Sequence, residues 1–204
     1  MAGQPPKNDE TFDNREFWNN RYSTNMTLGS GVGSRGTNLL HKQSLISRYL
    51  NDVGPASILD VGCGDFEVLS GLDISAQYIG LDIAPVIVER NRQIYPGKRF
   101  ECIDFASLAN VEDYRADVVL CCEVLIHQHT YEVYRKLLGN IVQAAQIGGF
   151  LSGYVRTPWP EIPSPIISWH EPLTETLEDV GARNVEIRGP SLENDRMYFV
   201  SFER

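Results

Sequence analysis

Among its 204 residues the sequence holds no apolar run near the roughly 18 that a bilayer-spanning helix requires. The first residues, through Phe17, are polar and acidic and contain no apolar stretch of the kind that directs secretion. These two absences predict a soluble, cytoplasmic protein with no membrane partner. Basic clustering is also scarce, because Lys and Arg are scattered and the formal net charge is -9. Affinity for a phosphate backbone comes largely from Lys and Arg, so this balance disfavours nucleic acid as a partner. Cysteine is limited to Cys63, Cys102, Cys121 and Cys122, none in the Cys-x-x-Cys spacing of a zinc site. They read as small buried hydrophobes of a reducing compartment, and adjacent Cys121 and Cys122 should point to opposite faces of a sheet. Internal repeats and low-complexity tracts are missing as well.

What is present is enough chain for one sizeable core, so a single domain is expected. Residues 1–10, with Gln4-Pro5-Pro6, read as a disordered tail. Residues 11–53 read as a helical extension. Its first helix, from Thr11 to Tyr22, carries Phe12, Phe17, Trp18 and Tyr22, and its second, capped by Thr37 or Asn38, runs to about Asn51. Between them lies a Gly/Ser-rich loop from Leu28 to Gly36. From residue 54 to 204 strands alternate with helices. Strands are expected at Ser57–Val61, Tyr78–Ile83, Arg99–Ile103, Ala116–Glu123 and Gly149–Val155. Helices are expected near Glu67–Leu72, Pro85–Tyr95 and Thr130–Gln146. A helix Pro172–Val180 and two strands, Asn184–Arg188 and Arg196–Phe202, close the chain. The last two are too close in sequence to pair in parallel. Several strands are continuous apolar runs, Asp117 to Cys122 above all, which suits a parallel sheet covered on both faces.

The chemistry concentrates where the first strand ends, at Asp60-Val61-Gly62-Cys63-Gly64-Asp65. Glycines there allow a sharp turn and close approach of a ligand to the backbone, outside the carboxyl ends of the strands where open sheets bind ligands. Asp82 closes the second strand 22 residues after Asp60. That is the place of a carboxylate that accepts from ribose hydroxyls; the alternative is a helix cap ahead of Ala84 and Pro85. A dinucleotide site wants Gly-x-Gly-x-x-Gly, and position 67 is Glu, whose charge would repel a pyrophosphate. Asp60, Asp65, Asp82, Asp104 and Glu123 all fall at or just beyond strand ends. Five carboxylates on one rim favour a cationic adenosine cofactor over a phosphorylated one.

Ile58 to Gly64 resembles the first motif of class I S-adenosylmethionine-dependent methyltransferases, and Gly80-Leu81-Asp82-Ile83 resembles their ribose-binding motif. Asp104-Phe105 is similar to the adenine-binding position, and Ala116–Glu123 followed by His127 to the fourth-strand motif. The resemblance spans residues 55–155. It implies a doubly wound, Rossmann-like α/β fold: a seven-stranded, mostly parallel sheet with an antiparallel last strand, in a three-layer sandwich. It also implies a cofactor site in which Asp60, Gly62, Cys63 and Gly64 hold the methionine part and Asp82 with Ile83 the ribose. Asp104 and Phe105 would then hold the adenine, with Glu123 on the same rim. One departure is Phe66, where many members have a third glycine.

His127 is a candidate general base or a pocket-lining residue, since imidazole titrates near neutral pH. Related sequences with Glu-x-x-Glu-His at this place bind a divalent cation. Ile126 stands where the second Glu would be, so no metal is expected. The acceptor wall is expected from Trp18, Tyr22 and Arg35 of the extension and from Tyr154, Arg156, Trp159, Trp169 and His170 after the fifth strand. The reading is methyl transfer from S-adenosylmethionine, leaving S-adenosylhomocysteine, to an oxygen or nitrogen of a small molecule. Alternatives are a cofactor-binding domain without turnover, an NAD-dependent dehydrogenase, and methylation of RNA, protein or glycan.

Overall fold

The structure is a computed structural model that describes residues 12–156, 166–191 and 197–204. The expected disordered tail over residues 1–10 lies outside the described residues, as do Trp159 and Arg196. The strands are β1 (Ser57–Val61), β2 (Gln77–Asp82), β3 (Arg99–Cys102), β4 (Ala116–Cys121), β5 (Ala145–Tyr154), β6 (Arg183–Pro190) and β7 (Met197–Glu203). They form one seven-stranded sheet in the order β3-β2-β1-β4-β5-β7-β6. The first five run parallel, and β7 runs antiparallel to both β5 and β6. Helices are α1 (Asn14–Thr24), α2 (Gly36–Val53), α3 (Glu67–Ser70), α4 (Pro85–Ile94), α5 (Tyr131–Ala144) and α6 (Leu173–Asp179).

The alternation of side chains along each strand divides the core in two. Leu59, Val119 and Cys121 face α5 and α6, while Ile58, Val118 and Leu120 face α1 to α4. That is why β4 is apolar at nearly every position: both of its faces are covered. Cys121 belongs to the first cluster and Cys122 packs against the second, on opposite faces. All four cysteines are free thiols.

Local chemistry sets the helix ends. Asp13 caps α1 by accepting from the Glu16 N–H at 3.0 Å, and Thr130 caps α5 through the Val133 N–H at 3.3 Å. Gly54, left-handed, ends α2 with its N–H on the Leu50 carbonyl and turns the chain into the sheet domain.

Among the boundaries that depart from expectation are those of α2 and β5. Helix α2 begins at Gly36, with no side-chain cap, so neither Thr37 nor Asn38 starts it. Strand β5 begins at Ala145, directly after α5, and runs through Gly148 and Gly149 instead of starting there. Those glycines are not breakers. A side chain at Gly148 would collide with the Phe202 carbonyl, and one at Gly149 with the Phe202 ring, so both let β7 approach. Among the described residues no helix is long and apolar enough to cross a membrane.

Strand order reverses between β1 and β4, which opens a crevice outside their carboxyl ends. The glycine turn, the five rim carboxylates and His127 are delivered to that crevice.

Candidate active site

The crevice deepens into a cavity of about 360 Å³ lined by the ends of β1, β2 and β4 on one side and by α1, α2 and the loop between them on the other. Its floor is the glycine turn. Gly62 and Gly64 both take left-handed backbone, with φ 77° and 52°. A side chain at Gly62 would run into Val124, and one at Gly64 into Ser30. The turn therefore tolerates no side chain at either glycine and presents bare backbone to the cavity. Phe66 is left-handed too, with φ 61°, which explains why a glycine suits that position. Its ring is held among Tyr78, Tyr95 and Phe100, at centroid distances of 5.0, 4.8 and 5.4 Å, and this packing offsets the strain.

Two buried carboxylates stand above the turn. Asp82 accepts from the Gly64 N–H at 3.0 Å and the Ala84 N–H at 2.9 Å, so it ties the turn to the start of α4 while it lines the cavity. Asp60 accepts from the Tyr78 hydroxyl at 2.9 Å. Burial pushes Asp60 up to about 7, with the Tyr78 bond opposing and the Asp82 charge adding to the rise. Burial likewise pushes Asp82 up to about 6 against its backbone donors. Both carboxyls thus titrate well above the usual carboxylate range until a positive charge arrives.

All five rim carboxylates line the cavity, but two of them are already neutralised. Asp65 pairs with Arg35 at 2.5 Å and accepts from both the Ser30 N–H and the Ser30 hydroxyl. Its burial opposes ionisation, yet the Arg35 and Ser30 donors outweigh this and hold its carboxyl below the usual range. Glu123 pairs with Lys42 at 2.5 Å. Asp60, Asp82 and Asp104 remain without a cationic partner among the described residues. Asp104 is exposed and caps the short turn Phe105–Ser107 by accepting from the Ala106 N–H at 3.1 Å. Three carboxylates instead of five are thus left to attract a cation.

Residues 59–152 match a family model described as a methyltransferase domain. The match takes in the glycine turn, Asp82 and the end of β4, a little under half of the chain. No curated protein sequence matches the chain. Among solved structures, the magnesium protoporphyrin IX methyltransferase of Synechocystis with bound S-adenosylmethionine is similar at TM-score 0.68 and 17% identity, over 96% of this chain and 99% of that one. The N-methyltransferase NodS of Bradyrhizobium japonicum with S-adenosylhomocysteine is similar at TM-score 0.66 and 15% identity, over 94% and 99%. The cyclase SpnF is also similar, at TM-score 0.57 and 20% identity, over 73% and 59%. At these identities the likeness shows the fold, which more than one chemistry uses.

Around the cavity the structure gathers Asp60, Gly62, Cys63, Gly64, Asp82, Ile83, Asp104, Phe105, Glu123 and His127, with Trp18, Tyr22 and Tyr154 from the expected acceptor wall. Four others stand elsewhere. Arg35 turns to Asp65, and Arg156 bonds the Tyr198 hydroxyl at 3.1 Å. Trp169 and His170 line a separate small hollow beside Tyr134, where His170 Nε2 donates to the Gln128 carbonyl at 2.7 Å. Trp159 lies outside the described residues.

His127 closes a single 3-10 turn after β4. Its Nδ1 lies 2.5 Å from the Ile166 carbonyl, and the Trp18 ring meets it edge-on at 5.0 Å. A carbonyl can only accept, so Nδ1 carries the proton and Nε2 is left as the acceptor. Burial lowers its pKa, with the Ile166 bond and the Glu123 charge opposing, so the ring is neutral at pH 7. Among the lining residues not expected from the sequence, two stand out. Asn14 donates to the His127 carbonyl at 2.6 Å, and Lys42 is only 1% exposed in the cavity wall. Lys42 falls four residues before Ile46 and seven before Tyr49, on the buried stripe of α2, and that spacing was the available signal.

Proposed function

We propose that the enzyme transfers the methyl group of S-adenosylmethionine to an oxygen or nitrogen of a small-molecule acceptor, with His127 as the base. The residues fit the cofactor: a side-chain-free turn, three carboxylates without a cationic partner, and a cavity within the ~300–1,000 Å³ common for ligand sites. Asp60 and the Gly62–Gly64 backbone would hold its methionine part, Asp82 and Ile83 its ribose, and Asp104 and Phe105 its adenine. When bound, the cofactor supplies an electrophilic methyl on a sulfonium, whose sulfur leaves with the bonding pair as a neutral thioether.

The chain's own task is to orient the acceptor and to take its proton. Orientation supplies much of the acceleration in an in-line displacement. The acceptor's lone pair forms the new bond to the methyl carbon, and its proton passes to Nε2 of His127. The observation that carries this reading is the Nδ1–H bond to the Ile166 carbonyl, which fixes the tautomer of a cavity-lining imidazole. Helix α1 and the loop to Gly36 act as the lid: Ser30 and Arg35 latch that loop onto Asp65, beside the glycine turn. The net charge of -9 favours a small molecule over RNA, as do the names of the two full-length neighbours, a protoporphyrin methyltransferase and an N-methyltransferase.

Methyl-labelled S-adenosylmethionine incubated with the enzyme and a fractionated cell extract tests this. Label should enter a small-molecule fraction. Label found only in RNA, protein or glycan, or in no fraction, would overturn the acceptor class.

A further inference from the structure

Lys42 is among the largest fully buried side chains in the molecule, and it carries a charge. Burying an ammonium is strongly unfavourable unless it is paired, and Glu123 Oε1 at 2.5 Å is its one ion-pair partner among the described residues. Such pairs are poor devices for stability, since apolar residues of equal volume often serve as well or better. A second feature marks the same place. Glu123 holds left-handed backbone, φ 61°, which side-chain-bearing residues seldom adopt and which recurs at functional sites. Ser152 Oγ fixes that conformation by accepting from the Glu123 N–H at 2.7 Å, and Gly33 lies so close to the carboxylate that no side chain would fit there.

The pair also has a definite neighbour. Val124, next to Glu123, packs where a side chain of Gly62 would stand, so the pair adjoins the turn assigned to the methionine part. Both Lys42 and Glu123 line the cavity. Other cations nearby are committed elsewhere. Arg35 is held by Asp65, while Arg21 donates to the Gly29 carbonyl at 3.0 Å and lies over the Trp18 ring. An ammonium has three donors, and a single carboxylate oxygen leaves donor capacity for a second anion.

From this arrangement we infer that the Lys42–Glu123 pair receives the zwitterionic amino-acid end of the cofactor, Lys42 meeting its carboxylate and Glu123 its ammonium. A fixed cation beside a fixed anion matches a ligand that carries both charges on one carbon. The inference rests on the S-adenosylmethionine reading of the cavity, and it makes helix α2 part of the binding site instead of a lid support.

Calorimetry with two ligands tests it. S-adenosylhomocysteine has the amino-acid end; 5′-methylthioadenosine has the same adenosine and thioether sulfur but lacks it. Lys42→Met should weaken S-adenosylhomocysteine at least about tenfold and leave methylthioadenosine within about twofold. Because Lys42→Met leaves Glu123 buried without its partner, the double variant Lys42→Met/Glu123→Gln, neutral and nearly equal in volume, should show the same selective loss. Equal weakening of both ligands, or undiminished affinity for S-adenosylhomocysteine, would overturn the inference and leave the pair as a tie between α2 and β4. Wild-type enzyme that binds neither ligand would instead overturn the reading of the cavity itself.

Discussion

The two halves of the cavity are built differently. On the β1–β2 side, Asp60, Gly62, Gly64 and Asp82 come from two adjacent strands and one turn, and backbone N–H groups make most of the contacts. On the β4–β5 side, Glu123, His127 and Tyr154 meet Lys42, Asn14 and Trp18 from the N-terminal extension. The first half is a local device that one short segment specifies. The second exists only after segments far apart in sequence have packed. A local device serves one ligand, whereas an assembled wall can be altered piece by piece, so acceptor choice is expected from His127, Tyr154, Asn14 and Trp18, beside the Lys42–Glu123 pair proposed for the cofactor.

Breaking each half should therefore give different symptoms. The largest effect is expected for His127→Ala. With the acceptor found by labelling, kcat should fall about 100- to 1,000-fold while S-adenosylhomocysteine affinity stays within a few-fold. Because the pKa of His127 lies below its ordinary value of 6.5, the wild-type rate should lose its base only as the pH falls under that value. Asp82→Ala should do the reverse, weakening S-adenosylhomocysteine by about 100-fold as two charge-assisted ribose contacts are lost. Unchanged affinity by calorimetry would remove Asp82 from the ribose site.

How much of this was legible follows the same division. Strand β4 announced itself because both faces are covered, and the Gly62–Gly64 turn because its residues are contiguous. Lys42 was passed over because a lone Lys on a helix is usually exposed, and only Glu123, far along the chain, decides otherwise. Arg35 was read toward the acceptor wall since nothing local revealed that Ser30 would bring the loop to Asp65. Trp169 and His170 lie after β5 as expected, but their segment turns toward Tyr134 and Gln128, a tertiary choice that composition does not encode.

A smaller effect sharpens the comparison through pH. Asp60 and Asp82 have folded pKa values of about 7 and about 6, above their ordinary 3.8. The folded state therefore holds protons that the unfolded state has lost, and the ligand-free protein loses stability as pH rises from about 4 to about 7. Asp60→Asn should flatten that slope in thermal melts at pH 5 and pH 7.5. The smallest effect is expected for Arg35→Ala, which frees the loop latch and should change S-adenosylhomocysteine affinity only a few-fold, since Arg35 faces Asp65 instead of the cavity.

The central claim is that a cationic cofactor settles over Asp60 and Asp82. Such binding favours their ionised forms, so it must release protons. Calorimetry of S-adenosylmethionine binding at pH 6.5, repeated in buffers of different ionisation enthalpy, measures this directly. Release of about one proton per cofactor, with affinity rising from pH 6 to pH 8, is the expected result. Proton uptake, or affinity independent of pH across that range, would contradict it.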